Sequence, residues 1–445
     1  MLSAGGERGS AAGGLGSAAG GRRGIARAGG RVLAAVAVAV LLGLLPVLPA
    51  ATASADSVRD QQQWVFTMLN VQPAWNVTEG EGVTVAVIDS GVDPNVTDLE
   101  GSVHPGPDYT GLHTSPGNAS WGEHGTWMAS IIAGHGHDGG FDGVGYDGIV
   151  GIAPKSSILS IRVIPDKGDP GYQAYNNEPE QQIQDELAKG IMTAVKDGAK
   201  VISMSIGYSA PSGVVRAAIQ DAYSHGVVLV ASSGNSGDND TQHATSGSSG
   251  MAPVSFPAEY PGVISVGAVT QQKTATSFSS GNLSVRIAAP GKTVPAEGRN
   301  GLYYTVDGTS PACALVAGVA ALIESRYKGI SPAQVTQALT STAEHPKGGY
   351  DVLTGFGIVN AGAALTAAGQ LMAQKPAGSQ VALSTHFGGG AAAVPAAPVV
   401  PRGTGGLVTF ALLALTAAAA IGGGAVWLAR TRERGRRRRD GHHAA

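Results

Sequence analysis

The chain has 445 residues, 43% of them hydrophobic and only 14% charged, which suits a large globular body and excludes a disordered one. Its net charge of −3 hides an asymmetry: residues 56–429 hold 17 of the 29 Lys and Arg but 29 of the 32 Asp and Glu, so the body is acidic between basic ends and is unsuited to nucleic acid. A single cysteine, Cys313, excludes an intramolecular disulfide framework and a Cys-rich zinc module.

The first element in chain order is a targeting segment. Arg22, Arg23, Arg27 and Arg31 precede an apolar run from Val32 to Leu45, too short to span a bilayer comfortably, which Pro46 and Pro49 end. Small residues then recur in A-x-A form at Ala51–Ala53 and Ala53–Ala55, so residues 1–55 read as a secretory signal cleaved after Ala53 or Ala55. In the body, five short β-branched runs read as buried strands: Gly82–Val92, Ser157–Ile164, Val201–Ile206, Val227–Ala231 and Val263–Val269. Helical spacing over Glu180–Lys196 and Val214–Ser224 falls between them. This alternation predicts an α/β fold with a mostly parallel sheet and helices on both faces. Residues 373–404 are rich in Gly, Ala and Pro and read as a linker. Residues 405–429, unbroken by charge from Leu407 to Ala429, read as one transmembrane helix; 23 apolar residues rise roughly 35 Å. Seven Arg follow within residues 430–445, a basic tail that should stay cytoplasmic and hold the body outside.

Three local patterns carry chemistry. Val85-Ala86-Val87-Ile88-Asp89-Ser90-Gly91 ends a buried strand in a carboxylate, at the sheet edge where open α/β folds place their sites. His124-Gly125-Thr126 opens an apolar helix. Gly308-Thr309-Ser310-Pro311-Ala312 opens a helix of small residues, with Pro311 in its favoured first turn. Each alone has an ordinary structural explanation: a turn-forming Asp, a plain His, a helix-capping Ser. Together they supply the hydroxyl, imidazole and orienting carboxylate of nucleophilic serine chemistry. A lipase-like G-x-S-x-G elbow does not fit, because Ala312 stands where its second Gly would be. The rival from another class is a catalytically idle binding subunit that keeps the fold.

The order Asp…His…Ser within these patterns resembles the subtilisin-like serine proteases over about residues 56–372. Further strings are similar: Val201-Ile202-Ser203-Met204-Ser205-Ile206-Gly207, Ala231-Ser232-Ser233-Gly234-Asn235, Phe256-Pro257-Ala258 and Ala288-Ala289-Pro290-Gly291. The resemblance implies a three-layer subtilisin-like domain with Ser310 as nucleophile, His124 as general base and acid, and Asp89 fixing the imidazole tautomer. It implies that Asn235 and the Ser310 N–H stabilise the oxyanion. Ser205, Ile206 and Gly207, with Ser232, Ser233 and Gly234, would line the substrate. It also implies a cis Phe256–Pro257 bond, a protein or peptide substrate, and no cofactor. Asp138, Asp142 and Asp147 do not follow the EF-hand spacing, so no metal is expected.

There are departures: Trp127 stands where many members have His, and Pro311 and Ala314 replace residues usual after the nucleophile. Cys313, a helical turn beyond Ser310, reads as a small buried hydrophobe. The stretch Asp166–Pro179 is either a rim of the substrate cleft, as the resemblance implies, or a surface loop. Residues 56–81 leave no room for a separate pro-domain, and Trp64, Val65, Phe66, Val71 and Trp75 are apolar enough to pack against the body. With the signal, tether, terminal helix and basic tail, the chain resembles the mycosins, membrane-anchored subtilases associated with type VII secretion. It lacks the cysteines of their disulfide-bearing N-terminal extension.

Overall fold

Seven parallel strands form one sheet in the order β2-β5-β1-β6-β7-β8-β9. In this computed structural model, residues 58–114, 116–118, 120–137, 147–237 and 251–374 are described, with five isolated positions (415, 424, 426, 427 and 430) beyond them. The strands are β1 (Thr84–Asp89), β2 (Val103–Asp108), β5 (Ser157–Arg162), β6 (Val201–Met204), β7 (Val228–Ser232), β8 (Val263–Val269) and β9 (Val285–Pro290). Two antiparallel ribbons stand apart from the sheet: β3 (His135–His137) with β4 (Asp147–Val150), and β10 (Val294–Glu297) with β11 (Tyr303–Val306).

The central strands are buried almost throughout and largely apolar, because both of their faces are covered. Val85 and Val87 of β1, and Val228 and Val230 of β7, join one core; Ala86, Ile88, Leu229 and Ala231 point the other way and join a second. The second core is closed by α5 (Glu180–Lys196) and α6 (Gly213–Ser224) through Leu187, Ile191, Ile219 and Ala222. The first is closed by α3 (Glu123–Ala133) and α7 (Thr309–Arg326). Helix α7 is buried from Thr309 to Glu324, which its run of Ala, Gly and Val permits on every side.

The N-terminal segment packs on the first core as α1 (Val58–Leu69) and α2 (Gln72–Trp75). Val65, Leu69 and Val71 are buried, Trp64, Phe66 and Trp75 pack against them, and the Trp75 indole N–H donates to the Ile152 carbonyl at 2.8 Å. The segment from Asp166 to Pro179 is not a plain loop: it holds a short helix, α4 (Tyr172–Asn176), and a buried Asp169. The strand β2 was not anticipated from its sequence, Val-His-Pro-Gly-Pro-Asp. It lies at the sheet's edge, where Pro105 and Pro107 are tolerated because an edge strand need not donate on both sides. Two helices complete the unit, α8 (Pro332–Ser341), closed by a capping box at Ser331 and Gln334, and α9 (Ala361–Ala373).

Among the described residues no helix is long and apolar enough to cross a membrane. The signal, nearly all of the linker, most of the span 405–429 and all of the basic tail but Arg430 lie outside the described residues, as do Asp138 and Asp142.

Candidate active site

The carboxyl ends of β1, β6 and β7 lie side by side, with Ile88 level with Met204 and Met204 with Ala231. The residues that follow therefore converge on one edge: Asp89 and Ser90, Ser205 to Gly207, and Ser232 to Asn235. A crevice at this edge is where open α/β sheets bind ligands.

Asp89 is fully buried, and its Oδ1 lies 2.7 Å from Nδ1 of His124 at the first turn of α3. The same oxygen accepts from the Ser90 N–H at 2.7 Å. Gly125 is what lets the helix approach this closely, because a Cβ there would stand 2.0 Å from the Gly91 carbonyl oxygen and 3.3 Å from the Asp89 Cβ. Burial pulls the imidazole's pKa down, but the charge and hydrogen bond of Asp89, with the charge of Asp166, outweigh it and leave His124 raised. The Trp127 ring meets His124 edge-on, its centroid 6.1 Å away, and packs against Tyr304 on its other side.

Ser310 lies in the first turn of α7, which runs unbroken from Thr309 through Pro311. Its backbone is held from β6, where the Ser205 hydroxyl donates to the Ser310 carbonyl at 3.3 Å. Asn235 is oriented by its neighbour in space. Both the N–H and the hydroxyl of Thr309 donate to Asn235 Oδ1, each at 2.9 Å, and the Gly234 N–H donates to the same hydroxyl at 3.3 Å. The Asn235 carbonyl oxygen is thereby engaged. Gly308 lies close by: a Cβ there would stand 3.3 Å from Asn235 Nδ2 and 3.5 Å from the Ser310 nitrogen. Its φ of +149° also favours glycine. The amide nitrogen of Asn235 and the backbone nitrogen of Ser310 thus both lie within 3.5 Å of one position beside Gly308.

Of the six residues expected to line substrate, only Gly207 and Gly234 retain appreciable exposure. Ser205, Ile206, Ser232 and Ser233 are buried. Tyr208 and Phe256 bridge the two edges by reciprocal backbone hydrogen bonds of 2.9 Å, and the Phe256–Pro257 bond is cis. Cys313 is fully buried, its Sγ 3.7 Å from Ser203 Oγ, and burial pushes its thiol up to about 11, which removes it as a competing nucleophile. Among the described residues no cluster of three or more His, Cys, Asp or Glu could hold a metal ion.

Sequence reasoning missed the charged scaffold behind Asp89 and His124. Arg162, level with Asp89 in the sheet, is buried; it donates to the Ser90 carbonyl, to Asp108 and Thr110 and to Asp169, and it lies over the Trp121 ring. Arg299 holds Asp93 and donates to the carbonyls of Pro116, Asn118 and Trp121, just upstream of His124. Asp166 accepts from the N–H groups of Glu123 and His124. These partners lie up to 206 residues apart in the chain, and no local pattern announces them.

Residues 80–379, two thirds of the chain, match the model of the subtilase family. The chain belongs to the subtilase family. It is a subtilisin-like serine peptidase. Thermitase of Thermoactinomyces vulgaris is 34% identical over 66% of this chain and 92% of its own length. Mycosin-1 of Mycobacterium tuberculosis is 35% identical over 68% of this chain and 73% of its own. Among solved structures, MycP1 from Mycobacterium smegmatis superposes with a TM-score of 0.56 at 29% identity, covering 68% of this subtilase and 84% of that chain. MycP3, the protease from the type VII (ESX-3) secretion system, gives 0.55 at 30%, covering 68% and 87%. The subtilase described here therefore resembles the mycosin branch.

Proposed function

We propose that this subtilase is a mycosin-type endopeptidase anchored at the cell surface, which hydrolyses protein or peptide substrates through an acyl-enzyme and works with a type VII secretion system. Ser310 Oγ attacks the scissile carbonyl carbon while His124 takes the hydroxyl proton. Asp89 holds the Nδ1–H and stabilises the imidazolium. The Asn235 amide and the Ser310 N–H receive the oxyanion; the C–N bond then breaks as His124 returns the proton to the leaving amine, and water repeats the sequence to release the acyl group. The substrate lies against the backbone of Ser205–Gly207 and Ser232–Gly234. No metal or cofactor enters these steps.

The observation that carries this reading is the 2.7 Å Asp89–His124 hydrogen bond on one side of the crevice and the paired nitrogens of Asn235 and Ser310 beside Gly308 on the other. The secretion link is supported by likeness to MycP1 and MycP3. Membrane anchoring is supported by the apolar run 405–429 and the seven Arg that follow, with residues 1–55 as signal, 56–372 as catalytic domain, 373–404 as tether and 430–445 as cytoplasmic tail. A fluorophosphonate probe should label the full-length chain and fail on Ser310→Ala; equal labelling would refute the nucleophile. Shaving intact cells with a protease should release a soluble fragment ending between about residues 373 and 404; finding the Arg-rich tail in it would refute the topology.

A further inference from the structure

Helix α3, which carries His124, has no cap of its own. Its N-cap residue is Gly122, in the left-handed region and without a side chain to accept from the first turn. The N–H groups that open any α-helix need partners from elsewhere. Here the rest of the fold supplies them. The Glu123 N–H donates to Asp166 Oδ2 at 2.8 Å, the His124 N–H to Asp166 Oδ1 at 3.1 Å, and the Gly125 N–H to Ser90 Oγ at 3.0 Å. Asp166 thus spends both carboxylate oxygens on the residue that bears the imidazole and the residue before it. It reaches them from the segment that follows β5, whose base is tied down by Arg162 and Asp169.

The surrounding charges leave Asp166 little competition. From β1 the imidazole faces Asp89. From β5, Arg162 is closed off by Asp108 and Asp169. On α3 itself, Glu123 turns its carboxylate to the Arg299 N–H and to Tyr304, and Arg299 is paired with Asp93. From α7 come only Ser310 and the buried, neutral Cys313. From β10, Glu297 donates its backbone N–H to Ser130, two turns along α3.

Resting on the reading of His124 as general base, we propose that Asp166 is a positioning residue for that base: it clamps the first turn of α3 and presents a second carboxylate to the imidazolium that forms during turnover. Burial raises the Asp166 carboxyl to about 6, with His124 opposing and Asp89 reinforcing the shift, so at neutral pH the second charge is in place beside His124, whose own value is raised.

The test uses the full-length chain with a peptide substrate, kcat and KM read separately across pH. Asp166→Asn keeps one of the two acceptors and loses the charge. It should lower kcat roughly 3–10-fold with KM nearly unchanged, and move the acid limb of kcat/KM to lower pH, because a charge that favours the imidazolium is gone. Asp166→Ala loses the clamp too and should cost roughly 10²-fold, while Asp166→Glu should return the limb toward that of the parent. Histidine ring titration by NMR in the Ser310→Ala background should show the same downward shift for Asp166→Asn; this readout stands even if the Ala variant does not fold. An Asn variant with unaltered kcat and an unmoved limb overturns the proposal. So do equal losses in Asn and Ala with the limb unmoved, which mark a merely structural cap. Full turnover by His124→Ala would instead overturn the base assignment itself, and this proposal with it.

Discussion

The two halves of the crevice are built on different principles. On the Asp89–His124 side, charged groups are joined by ion pairs and charge-assisted hydrogen bonds: Arg162 to Asp108 and Asp169, Arg299 to Asp93, Asp166 to the helix start. On the Ser310–Asn235 side the contacts join neutral groups, those of Thr309, Asn235, Gly234, Ser205 and Ser310, and the space beside Gly308 is set by a missing side chain. On the proposed mechanism, one half governs where a proton sits and the other where an oxygen fits. The first should respond to charge and pH, the second to volume.

The largest effect should come from the neutral half. Ser310→Ala should lower turnover about 10⁶-fold while costing only about 1 kcal/mol of stability, and adding His124→Ala should lower it little further, since such residues act as a unit. Steady-state kinetics of the single and double variants check this; multiplicative losses would break the unit. Gly308→Val comes next. Its side chain would occupy the position that Asn235 Nδ2 and the Ser310 N–H share, and losing one such donor costs roughly 10²–10³-fold in turnover in subtilisin itself. The loss should appear in kcat at every pH. A variant whose deficit vanishes at some pH would place volume control on the wrong side.

The charged half should show itself in stability. Arg162→Met leaves Asp169 buried with only the Thr114 hydroxyl and the Gly171 N–H as partners, and should cost about 3–5 kcal/mol in urea denaturation. A loss under 1 kcal/mol would show that the guanidinium is dispensable. The smallest effect is at Glu297, fully buried beside Asp98 and held through its N–H to Ser130 of α3. Burial first, then the nearby Asp98 charge, pushes its carboxyl up to about 7 from an ordinary 4.5. A raised folded-state value means that its contribution is complete below about pH 4.5 and is lost as pH climbs through 7. Glu297→Gln should therefore stabilise the protein at pH 8, by on the order of 1–3 kcal/mol, and leave it unchanged near pH 4. Thermal melts at the two pH values decide it, and a gain at pH 4 would contradict the sign.

The same contrast explains what could be read in advance. Strands β1, β5, β6, β7 and β8 and helices α5 and α6 follow from apolar runs and periodicity, because parallel strands covered on both faces need little but hydrophobicity. The neutral half of the crevice was legible for a similar reason: Gly308-Thr309-Ser310 and Ser233-Gly234-Asn235 are short strings whose contacts lie mostly within and between those strings. In the charged half Asp89 and His124 were legible, but the scaffold behind them was not. Arg162 reads as a strand-end base, Asp166 as a member of a Gly/Pro/Asn-rich stretch, and Arg299 as one of a pair of polar residues in a turn. Their roles exist only once β5 lies beside β1 and the β10–β11 ribbon reaches the loop before α3. Strand β2 was missed because its two prolines argue against any strand except one at an edge.

That edge has a consequence for how the molecule behaves among its own copies. An open sheet offers its outermost strand as a template on which another chain can lay down a strand, and neighbours concentrated on one surface meet often. At β2, Pro105 and Pro107 bring no N–H to offer, and His104, Pro105 and Gly106 are exposed without a continuous apolar face. Among the described residues no strand pairs with β2 on its outer side, yet this edge is poorly suited to recruiting a strand, so crowding should favour separate, working protomers over edge-to-edge aggregates.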